Sequence, residues 1–309
     1  SVTSIGNESF YNCTELETVK FLGTTEPIIG NSVFNETLVD GIIVGEEYSG
    51  NSFGGLIAAK PSGKCGEQSY YRIENGVLSI TGEGEINILV EPLPYWQCYR
   101  KFINAINISE GITGIGVSSF LGLLNSEIIY IPETVLFIGN SAFLGCEGLR
   151  VVSIPNRVTT IDTMAFMGCA SLESITLPES IESIGESAFS VCSNLRNITI
   201  PKNVKTIKST TFSKCESLES ITLPESVTAI ERSAFMDCSS LQRIIIPKSV
   251  TKIGSSAFSG CLSLERIEID GNVTSIGNGA FSDCPILETV IYKGTIKSSD
   301  DGNIFDNTK

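Results

Sequence analysis

The chain has 309 residues, 41% of them hydrophobic, so it is long enough to bury a sizeable core. Its formal net charge of −14 argues against nucleic acid or an anionic membrane surface as a partner. The absence of histidine excludes Ser-His-Asp, Cys-His and zinc-protease chemistries, and it removes the usual nitrogen ligand of zinc.

No segment of the chain has the signature of a membrane span or a secretory leader. No apolar run approaches about eighteen residues, the length that a transmembrane helix needs. The first residues, SVTSIGNESF, have neither the charged region nor the apolar stretch of a signal peptide. We therefore expect no membrane insertion within this chain.

The first segment of the chain recurs at its end. Residues 1–38 align without gaps on residues 272–309 at an offset of 271, and sixteen of the thirty-eight positions are identical. Both copies contain the same irregularity, an extra residue before Phe34 and before its equivalent Phe305. We interpret residues 1–38 as the C-terminal repeats of a preceding array and residues 39–60 as a spacer. The chain would then be a fragment of a longer protein that is built from modules of this length.

Residues 61–102 break the periodic pattern of the rest of the chain. The stretch SYYRIENGVLSITGEG predicts a β-hairpin, because Asn75-Gly76 supplies the positive φ angles of a type I′ turn between two β-rich runs. The stretch PLPYWQCYRKF then brings the only tryptophan, Trp96. We predict a capping module that covers the open hydrophobic end of a repeat stack. An aromatic carbohydrate-binding patch around Trp96 is the alternative, and it stays open.

Residues 103–309 are periodic, with a unit of twenty-three residues. Within it, a phenylalanine lies three residues before each cysteine of one series, and a leucine lies three residues after it. The first two units are weaker, and with the incomplete last unit we count nine. The cysteines of the series are Cys146, Cys169, Cys192, Cys215, Cys238, Cys261 and Cys284.

The sequence of one unit predicts its local structure. In LESITLP, the residues Leu172, Ile175 and Leu177 are expected to face inward from a short half-buried strand, which the following proline ends. Ile181 and Ile184 predict a second extended segment, and the SAFxxC stretch after it predicts a short helical turn. One unit cannot bury its apolar face alone. The fold class is therefore a β-rich repeat solenoid with parallel strands between neighbours.

The consensus LxxIxIPxxVxxIgxxAFxxCxx resembles the BspA-like, or Treponema-type, leucine-rich repeats, and the similarity covers most of the chain. The capping segment is similar to the element that precedes repeats in such proteins. It matches at Cys65-Gly66, at GVLSITGEG and at Tyr99-Arg100, although Tyr95 separates Pro94 from Trp96. The resemblance implies a leucine-rich repeat fold and a location on the cell surface or outside the cell. It also implies attachment to a host protein, matrix or glycan.

Ten cysteines raise the question of disulfide bonds. Those in register would stack about 5 Å apart with parallel Cα–Cβ bonds, so they cannot turn toward one another. We interpret them, together with Cys13, as buried small hydrophobic residues with a weak S–H donor. A catalytic thiol would lack an activating base, and a metal site would lack a supporting spacing. Cys65 and Cys98 lie outside the series, and a disulfide between them stays open.

The turn after each proline carries a charge of alternating sign. Glu179, Lys202, Glu225 and Lys248 occupy equivalent positions in successive units. We therefore expect ion pairs between stacked neighbours. Such pairs would fix the register of the units more than they would stabilise the fold.

Outward positions of the strands repeat as columns on one face of the solenoid. In the central units these positions are polar, with threonine at residues 176, 199 and 222, whereas the units near both ends carry apolar or charged residues there. Exposed apolar residues with polar neighbours mark contact surfaces. The alternative is tolerated surface variation. The candidate ligand-binding residues are Ile128, Tyr130, Val151, Arg243, Ile245, Arg266 and Glu268, with Trp96 from the alternative interpretation of the cap.

These observations favour a non-catalytic adhesion-type protein whose strand face binds a protein or glycan ligand. A structural spacer or coat element that presents other modules is the second hypothesis, and an enzyme would need clustered carboxylates that the periodic sequence does not supply. We expect no catalytic residue, no cofactor, no metal site and no nucleic-acid partner.

Overall fold

The computed structural model describes residues 2–39, 41–50, 52–87, 95–269 and 272–292 of the chain. It is a β-solenoid, in which each unit contributes two short strands that pair in parallel with the same strands of the next unit. Leucine-rich units and a hairpin between two arrays are present as predicted. Residues 293–309, which hold the second half of the predicted match to residues 1–38, lie outside the described residues.

The first array occupies residues 2–59. β2 pairs in parallel with β4, and Val19 lies opposite Ile42 at the repeat step of twenty-three residues. The segment predicted as a spacer contains strands of this sheet: β4 pairs with β6 at a step of sixteen residues, and Ile42, Val44 and Phe53 are buried in a separate core. The strands are β1 (Ser4–Ile5), β2 (Val19–Phe21), β3 (Ile28–Ile29), β4 (Gly41–Val44), β5 (Ser52–Phe53) and β6 (Leu56–Ala59).

The hairpin between the arrays consists of β7 (Ser62–Lys64), β8 (Gln68–Glu74) and β9 (Val77–Ile86). Asn75 and Gly76 have φ angles of 50° and 78°, as the predicted type I′ turn requires. β9 is long enough to pair in parallel with the first strand of each sheet of the main array. A 3₁₀ helix at Tyr95–Tyr99 follows. The division of the chain into modules at residues 38, 60 and 102 stays a prediction.

The main array has two rows of strands. The row that we call the strand face consists of β10 (Ala105–Ile108), β12 (Ile128–Tyr130), β14 (Val151–Ser153), β16 (Ser174–Thr176), β18 (Asn197–Thr199), β20 (Ser220–Thr222), β22 (Arg243–Ile246), β24 (Arg266–Ile269) and β26 (Thr289–Tyr292). The other row consists of β11 (Ile112–Ile115), β13 (Phe137–Ile138), β15 (Thr160–Ile161), β17 (Ser183–Ile184), β19 (Thr206–Ile207), β21 (Ala229–Ile230), β23 (Lys252–Ile253) and β25 (Ser275–Ile276).

One continuous hydrophobic core fills the main array. Leu172, Ile175 and Leu177 are buried as the alternation predicts, and the residues between them are exposed. The phenylalanines form a stack of parallel rings from Phe120 to Phe281, with centroids 5.0 to 5.7 Å apart. Each ring within the stack therefore packs on the rings of both neighbouring units, so this part of the core is formed between units and not within one unit.

The SAFxxC stretch is a series of tight turns, not the predicted helical turn. In one unit, the N–H groups of Ser190 and Cys192 donate to carbonyls three residues earlier, at 3.1 and 3.3 Å. Ser187, Phe189 and Val191 instead donate to carbonyls of the next unit at 2.8 to 3.1 Å. Because alternate N–H groups bond between units, an α-helical pattern cannot form, and Ser187 and Val191 adopt φ angles of 53° and 60°.

Candidate binding surface on the strand face

The strand face presents two columns of outward side chains. In β12, Ile129 is buried, whereas its neighbours Ile128 and Tyr130 are exposed. The same alternation recurs in β14, β16, β18 and β20 because each strand pairs in register with the next. A residue type at an outward position is therefore placed directly beside its equivalents in the neighbouring units.

Apolar side chains form a run at the beginning of this face. Ile128 and Val151 are register partners on β12 and β14, and both are exposed. Tyr130 lies in the second column, with 71% of its surface exposed. We call these three residues, with Val77 and Ala105, the apolar run.

Val77 and Ala105 were missed by the sequence reasoning. Val77 on β9 is the register partner of Ala105 on β10, and both are half-buried in the same column as Ile128. The stretch VLSI could have indicated this position. Inward and outward side chains alternate after the Asn75-Gly76 turn, and this alternation places Val77 on the outward side. The hairpin thus lengthens the apolar run by one strand step.

The second group of predicted residues lies near the other end of the face. Arg243 and Arg266 are register partners, and so are Ile245 and Glu268. Ile245 is 66% exposed, and the guanidinium of Arg266 pairs with the carboxylate of Glu268 two residues further along the same strand. The structure therefore brings these four residues together as one mixed patch.

The two groups are separate surfaces. Five strand steps lie between β12 and β22, which corresponds to about 24 Å at roughly 4.8 Å per step. The intervening positions are polar, and the Ser220 hydroxyl donates to the Asn197 side-chain oxygen at 2.7 Å. One small ligand cannot touch both groups, so they would act as independent sites or along one extended ligand.

Trp96 is not part of any exposed patch, and its assignment as a binding residue is wrong. Only 1% of its surface is exposed, and its indole N–H donates to the Ser119 carbonyl at 2.8 Å. Its ring stacks on Phe120 at 6.3 Å between centroids and meets Tyr71 edge-on at 5.0 Å. Trp96 thus occupies the first position of the phenylalanine stack, where a large apolar ring is needed and a sugar has no access.

The cysteines of the series are buried thiols that bond to the neighbouring unit. The Sγ–H of Cys192 donates to the Phe166 carbonyl at 3.2 Å, and the other six make the equivalent bond at 2.9 to 3.3 Å. Burial raises the pKa of the Cys192 thiol to about 12. A protonated, inaccessible thiol is a poor nucleophile, which agrees with a packing role.

Cys65 and Cys98 are not joined by a disulfide. The Cys65 thiol lies 3.6 Å from the Ser69 hydroxyl, and its burial raises the pKa to about 11. Cys13, which was predicted to be buried in the same series, is instead exposed. The stacking rule therefore holds only where a preceding unit is present to cover the thiol.

Ion pairs between units are made by residues that directly precede the strands of the strand face, and not by the turn residues after the prolines. Arg150 pairs with Glu173 at 2.6 Å, and Arg196 pairs with Glu219 at 3.2 Å. Among the described residues, the expected pairs between the turn residues 179, 202, 225 and 248 do not form, and the Glu179 carboxylate accepts from the Lys202 backbone N–H at 3.3 Å. The prediction of charge pairing in the turns is therefore wrong.

The described part of the chain contains no helix with the length and apolar character that crossing a bilayer requires. In the same residues, no group of three or more cysteine, aspartate or glutamate side chains is arranged to hold a metal ion.

The sequence matches the family described as BspA type Leucine rich repeat region, in six copies over residues 1–51, 96–219 and 183–309. These ranges cover well over half of the chain. No curated protein matches it.

Several solved structures are similar to this chain. A leucine-rich cell surface protein of Faecalibacterium prausnitzii A2-165 is 25% identical with a TM-score of 0.49, covering 74% of this chain and 76% of its own. The T. pallidum leucine-rich repeat protein is 26% identical with a TM-score of 0.48, covering 63% and 86%. A leucine-rich repeat protein of Bacteroides ovatus ATCC 8483 is 28% identical with a TM-score of 0.42, covering 74% and 70%.

Proposed function

The chain belongs to the BspA-type leucine-rich repeat family, and we propose from this premise that it is a non-catalytic adhesion protein. Proteins of this family are typically surface-associated and binding, and they are generally non-enzymatic. We infer that the protein acts at the cell surface or after secretion. Its strand face binds a host protein, a matrix component or a glycan.

The apolar run at Val77, Ala105, Ile128, Val151 and Tyr130 is the observation that carries this proposal. The equivalent positions in the central units hold serine, asparagine and threonine, so the ladder itself does not require apolar side chains there. An exposed apolar group with polar neighbours favours a contact surface. Because the strands beneath it are paired on both sides, the surface is preorganised, and binding would cost little ordering entropy.

Tyr130 is the proposed anchor of this contact. Tyrosine supplies a large apolar ring and a hydroxyl with few rotatable bonds, which suits it to the centre of an interface or to the face of a sugar. Losing such an anchor typically costs about 2 kcal/mol or more of binding free energy, or roughly thirtyfold in Kd.

A structural spacer remains the second candidate function. The central strands from β16 to β20 support it, because their outward side chains are small and polar and pair with one another. A spacer needs only a regular stack of this kind and presents no ligand site of its own.

The two candidates separate in a capture experiment on immobilised panels of purified matrix proteins and glycans. The chain is compared with an Ile128→Ser/Tyr130→Ser variant and with an Asn197→Ser/Thr199→Ser control, which changes the equivalent outward positions of a central strand. We expect capture by the chain and by the control, and a loss of more than about tenfold in the variant.

Equal capture by all three proteins would contradict the assignment of the apolar run. Absence of capture by the unchanged chain would favour the spacer. The proposed location is tested separately, by protease treatment of intact source cells, since only a surface-exposed protein is cleaved without lysis.

A further inference from the structure

The mixed patch on β22 and β24 contains two arginines that lie side by side. Arg243 and Arg266 are register partners on parallel strands, and both are exposed. Neighbouring parallel strands lie about 4.8 Å apart, and like charges placed directly opposite each other on a sheet destabilise it. The equivalent residues of the two preceding units, Asn197 and Ser220, are uncharged. The repeat therefore does not require a charge here, and the arginine pair is unfavourable for the fold alone.

Other arginines of the strand face lie where their charge is compensated. The residues that directly precede the strands alternate in sign through the central units. Arg150 consequently pairs with Glu173 of the next unit. Arg196 pairs in the same way with Glu219. The solenoid thus has a regular way of placing an arginine beside a carboxylate of the next unit, and the mixed patch departs from it.

The two arginines of the mixed patch differ in their counter-ions. The Arg266 guanidinium pairs with the Glu268 carboxylate of its own strand. Among the described residues, no carboxylate lies within ion-pair distance of the Arg243 guanidinium. A guanidinium is a planar fork of N–H donors that fits a carboxylate through two parallel hydrogen bonds. Arg243 is therefore the group of this patch that is available to an anionic ligand.

An exposed apolar side chain lies beside the Arg243 guanidinium. Ile245 follows Arg243 by two residues on β22, so both side chains leave the sheet on the same side. The equivalent residues in the central units are threonines. Alternate residues of an extended chain are roughly 6.6 Å apart, and an extended peptide that lies along β22 presents its own side chains at this same spacing. A carboxylate and an apolar side chain two residues apart would meet Arg243 and Ile245 together.

The charges around the mixed patch restrict the kind of ligand. Glu265 and Glu288 directly precede β24 and β26 and are exposed, and Glu268 belongs to the patch itself. These carboxylates and the net charge of −14 repel a polyanion such as a sulfated glycan, whereas a single carboxylate on Arg243 remains favourable. The patch also has no aromatic ring on which a sugar could stack, and the exposed Ile245 favours an apolar side chain. A peptide segment therefore fits better than a glycan.

We propose that the mixed patch is a second interaction site, which binds an extended segment of a partner protein with acidic and apolar side chains. One carboxylate of the segment accepts two hydrogen bonds from Arg243, and an apolar side chain two residues away packs on Ile245. Arg266, which Glu268 holds in place, contributes positive potential. The site uses other strands than the apolar run, so the inference goes beyond the proposed function and does not depend on it.

The test uses a sensor surface that is densely coated with a synthetic peptide containing Ser-Glu-Thr-Leu-Ser. Reference surfaces carry the same peptide with Gln in place of Glu, or with Ser in place of Leu. We expect capture of the chain on the first surface only, and this capture should decrease with added salt. Arg243→Gln should lower it by more than about tenfold. Arg196→Gln removes an arginine that already pairs with Glu219, so this matched control should leave the capture unchanged.

Two further measurements separate a binding role from a structural one. Glu268→Gln removes a repelling carboxylate and releases Arg266, so it should increase capture by about threefold. Arg243→Gln removes the repulsion between the two arginines, so the midpoint of urea unfolding should stay the same or increase. A decrease in the midpoint would show that Arg243 serves the fold, which contradicts the proposal.

The remaining outcomes also decide the matter. Absence of capture, equal capture on all three surfaces, or equal capture by the Arg243→Gln variant would overturn the proposal. Capture on an immobilised sulfated glycan but not on the peptide, lost in the Arg243→Gln variant, would overturn it in favour of an anionic glycan. The Ile128→Ser/Tyr130→Ser variant should bind the peptide as the unchanged chain does. Failure of the apolar run and failure of this site are therefore distinguishable results.

Discussion

The two ends of the described structure contain the same repeat pattern in different surroundings. VTSIGN is identical at residues 2–7 and 273–278, and each copy is followed by Phe and then by Cys at the same distances. Phe281 and Cys284 are buried, whereas Phe10 and Cys13 are exposed. Among the described residues, Phe281 is enclosed by the unit on its earlier side, whereas Phe10 stacks only on Phe34 of the later one. In a solenoid, the burial of a residue is therefore a property of the neighbouring unit as much as of its own.

This comparison indicates that the contacts between units stabilise the fold. A single unit contributes one ring, one thiol and two short strands, none of which is buried by its own unit alone. The free energy resides in the interfaces between units, where rings stack, thiols bond to carbonyls and strands pair. Substitutions at equivalent positions should thus differ in effect according to how many neighbours their unit has.

The largest difference is expected for the phenylalanine stack. Phe189→Ala removes a ring that stacks on both Phe166 and Phe212, and it should lower the free energy of unfolding by about 3–5 kcal/mol. Phe10→Ala removes a partly exposed ring and should lower it by about 1 kcal/mol. Urea denaturation followed by circular dichroism measures both. Equal losses would show that the interfaces do not carry the stability.

A smaller effect is expected at the covered end of the main array. Trp96→Phe keeps a ring on Phe120 but removes the indole N–H that donates to the Ser119 carbonyl, which should cost about 1–3 kcal/mol. Hydrogen exchange in β8 and β9 should become faster first. Tyr70→Phe, on the exposed face of the hairpin, is the control. A variant as stable as the parent would mean that ring packing alone covers this end.

The buried thiols predict a pH dependence of stability. Burial raises the pKa of Cys192 from near 9 to about 12, so above pH 9 the unfolded chain loses this proton while the folded chain keeps it. The contribution is constant below pH 9 and then decreases by about 1.4 kcal/mol per pH unit until pH 12. Cys192→Ala should make the alkaline loss of stability less steep by this amount. Ser190→Ala, a non-titrating change in the same unit, should leave the slope unchanged, and the opposite pattern would contradict the cause.

The smallest effect is expected for the ion pairs that directly precede the strands of the strand face. Arg196 and Glu219 pair at 3.2 Å, but both side chains are more than half exposed. A double-mutant cycle with Arg196→Gln and Glu219→Gln should give a coupling below about 1 kcal/mol that decreases with added salt. A coupling that persists in 1 M salt, where the Debye length is roughly 3 Å, would show that this face contributes more to stability than its exposure implies.

Within the periodic region, the sequence was sufficient to predict the fold and its interior. The positions of Phe189, Cys192 and Leu195 repeat without insertion, so one unit predicts all the others and their partners twenty-three residues away. The hairpin turn was equally predictable, since Asn75-Gly76 is a local signal that acts through its own backbone angles. Tyr130 and Ile245 were correctly expected to be exposed, because alternation fixes the outward side.

The errors fall where a partner is not given by the repeat. The segment of Trp96 predicted a cap over the end of the stack, but because Trp96 has no periodic equivalent, the sequence did not indicate that its ring would stack on Phe120. Residues 39–60 lack the consensus, yet β4 pairs with β2 at the repeat step of twenty-three residues and with β6 at a step of sixteen. The SAFxxC stretch was expected to form a helical turn because it is short and contains small residues. Alternate N–H groups of this stretch instead donate to carbonyls of the next unit.

The sequence by itself determined the repeat length, the inward side chains, the hairpin and the family of this protein. These features follow from periodicity and local backbone preference, which are contained in any one unit. Only the tertiary structure decided which equivalent residues are covered, where Trp96 packs, and how Val77 joins Ile128 on one surface. The physical reason is that burial and pairing depend on what lies on the other side of each unit, and the sequence of a unit does not specify what packs against it.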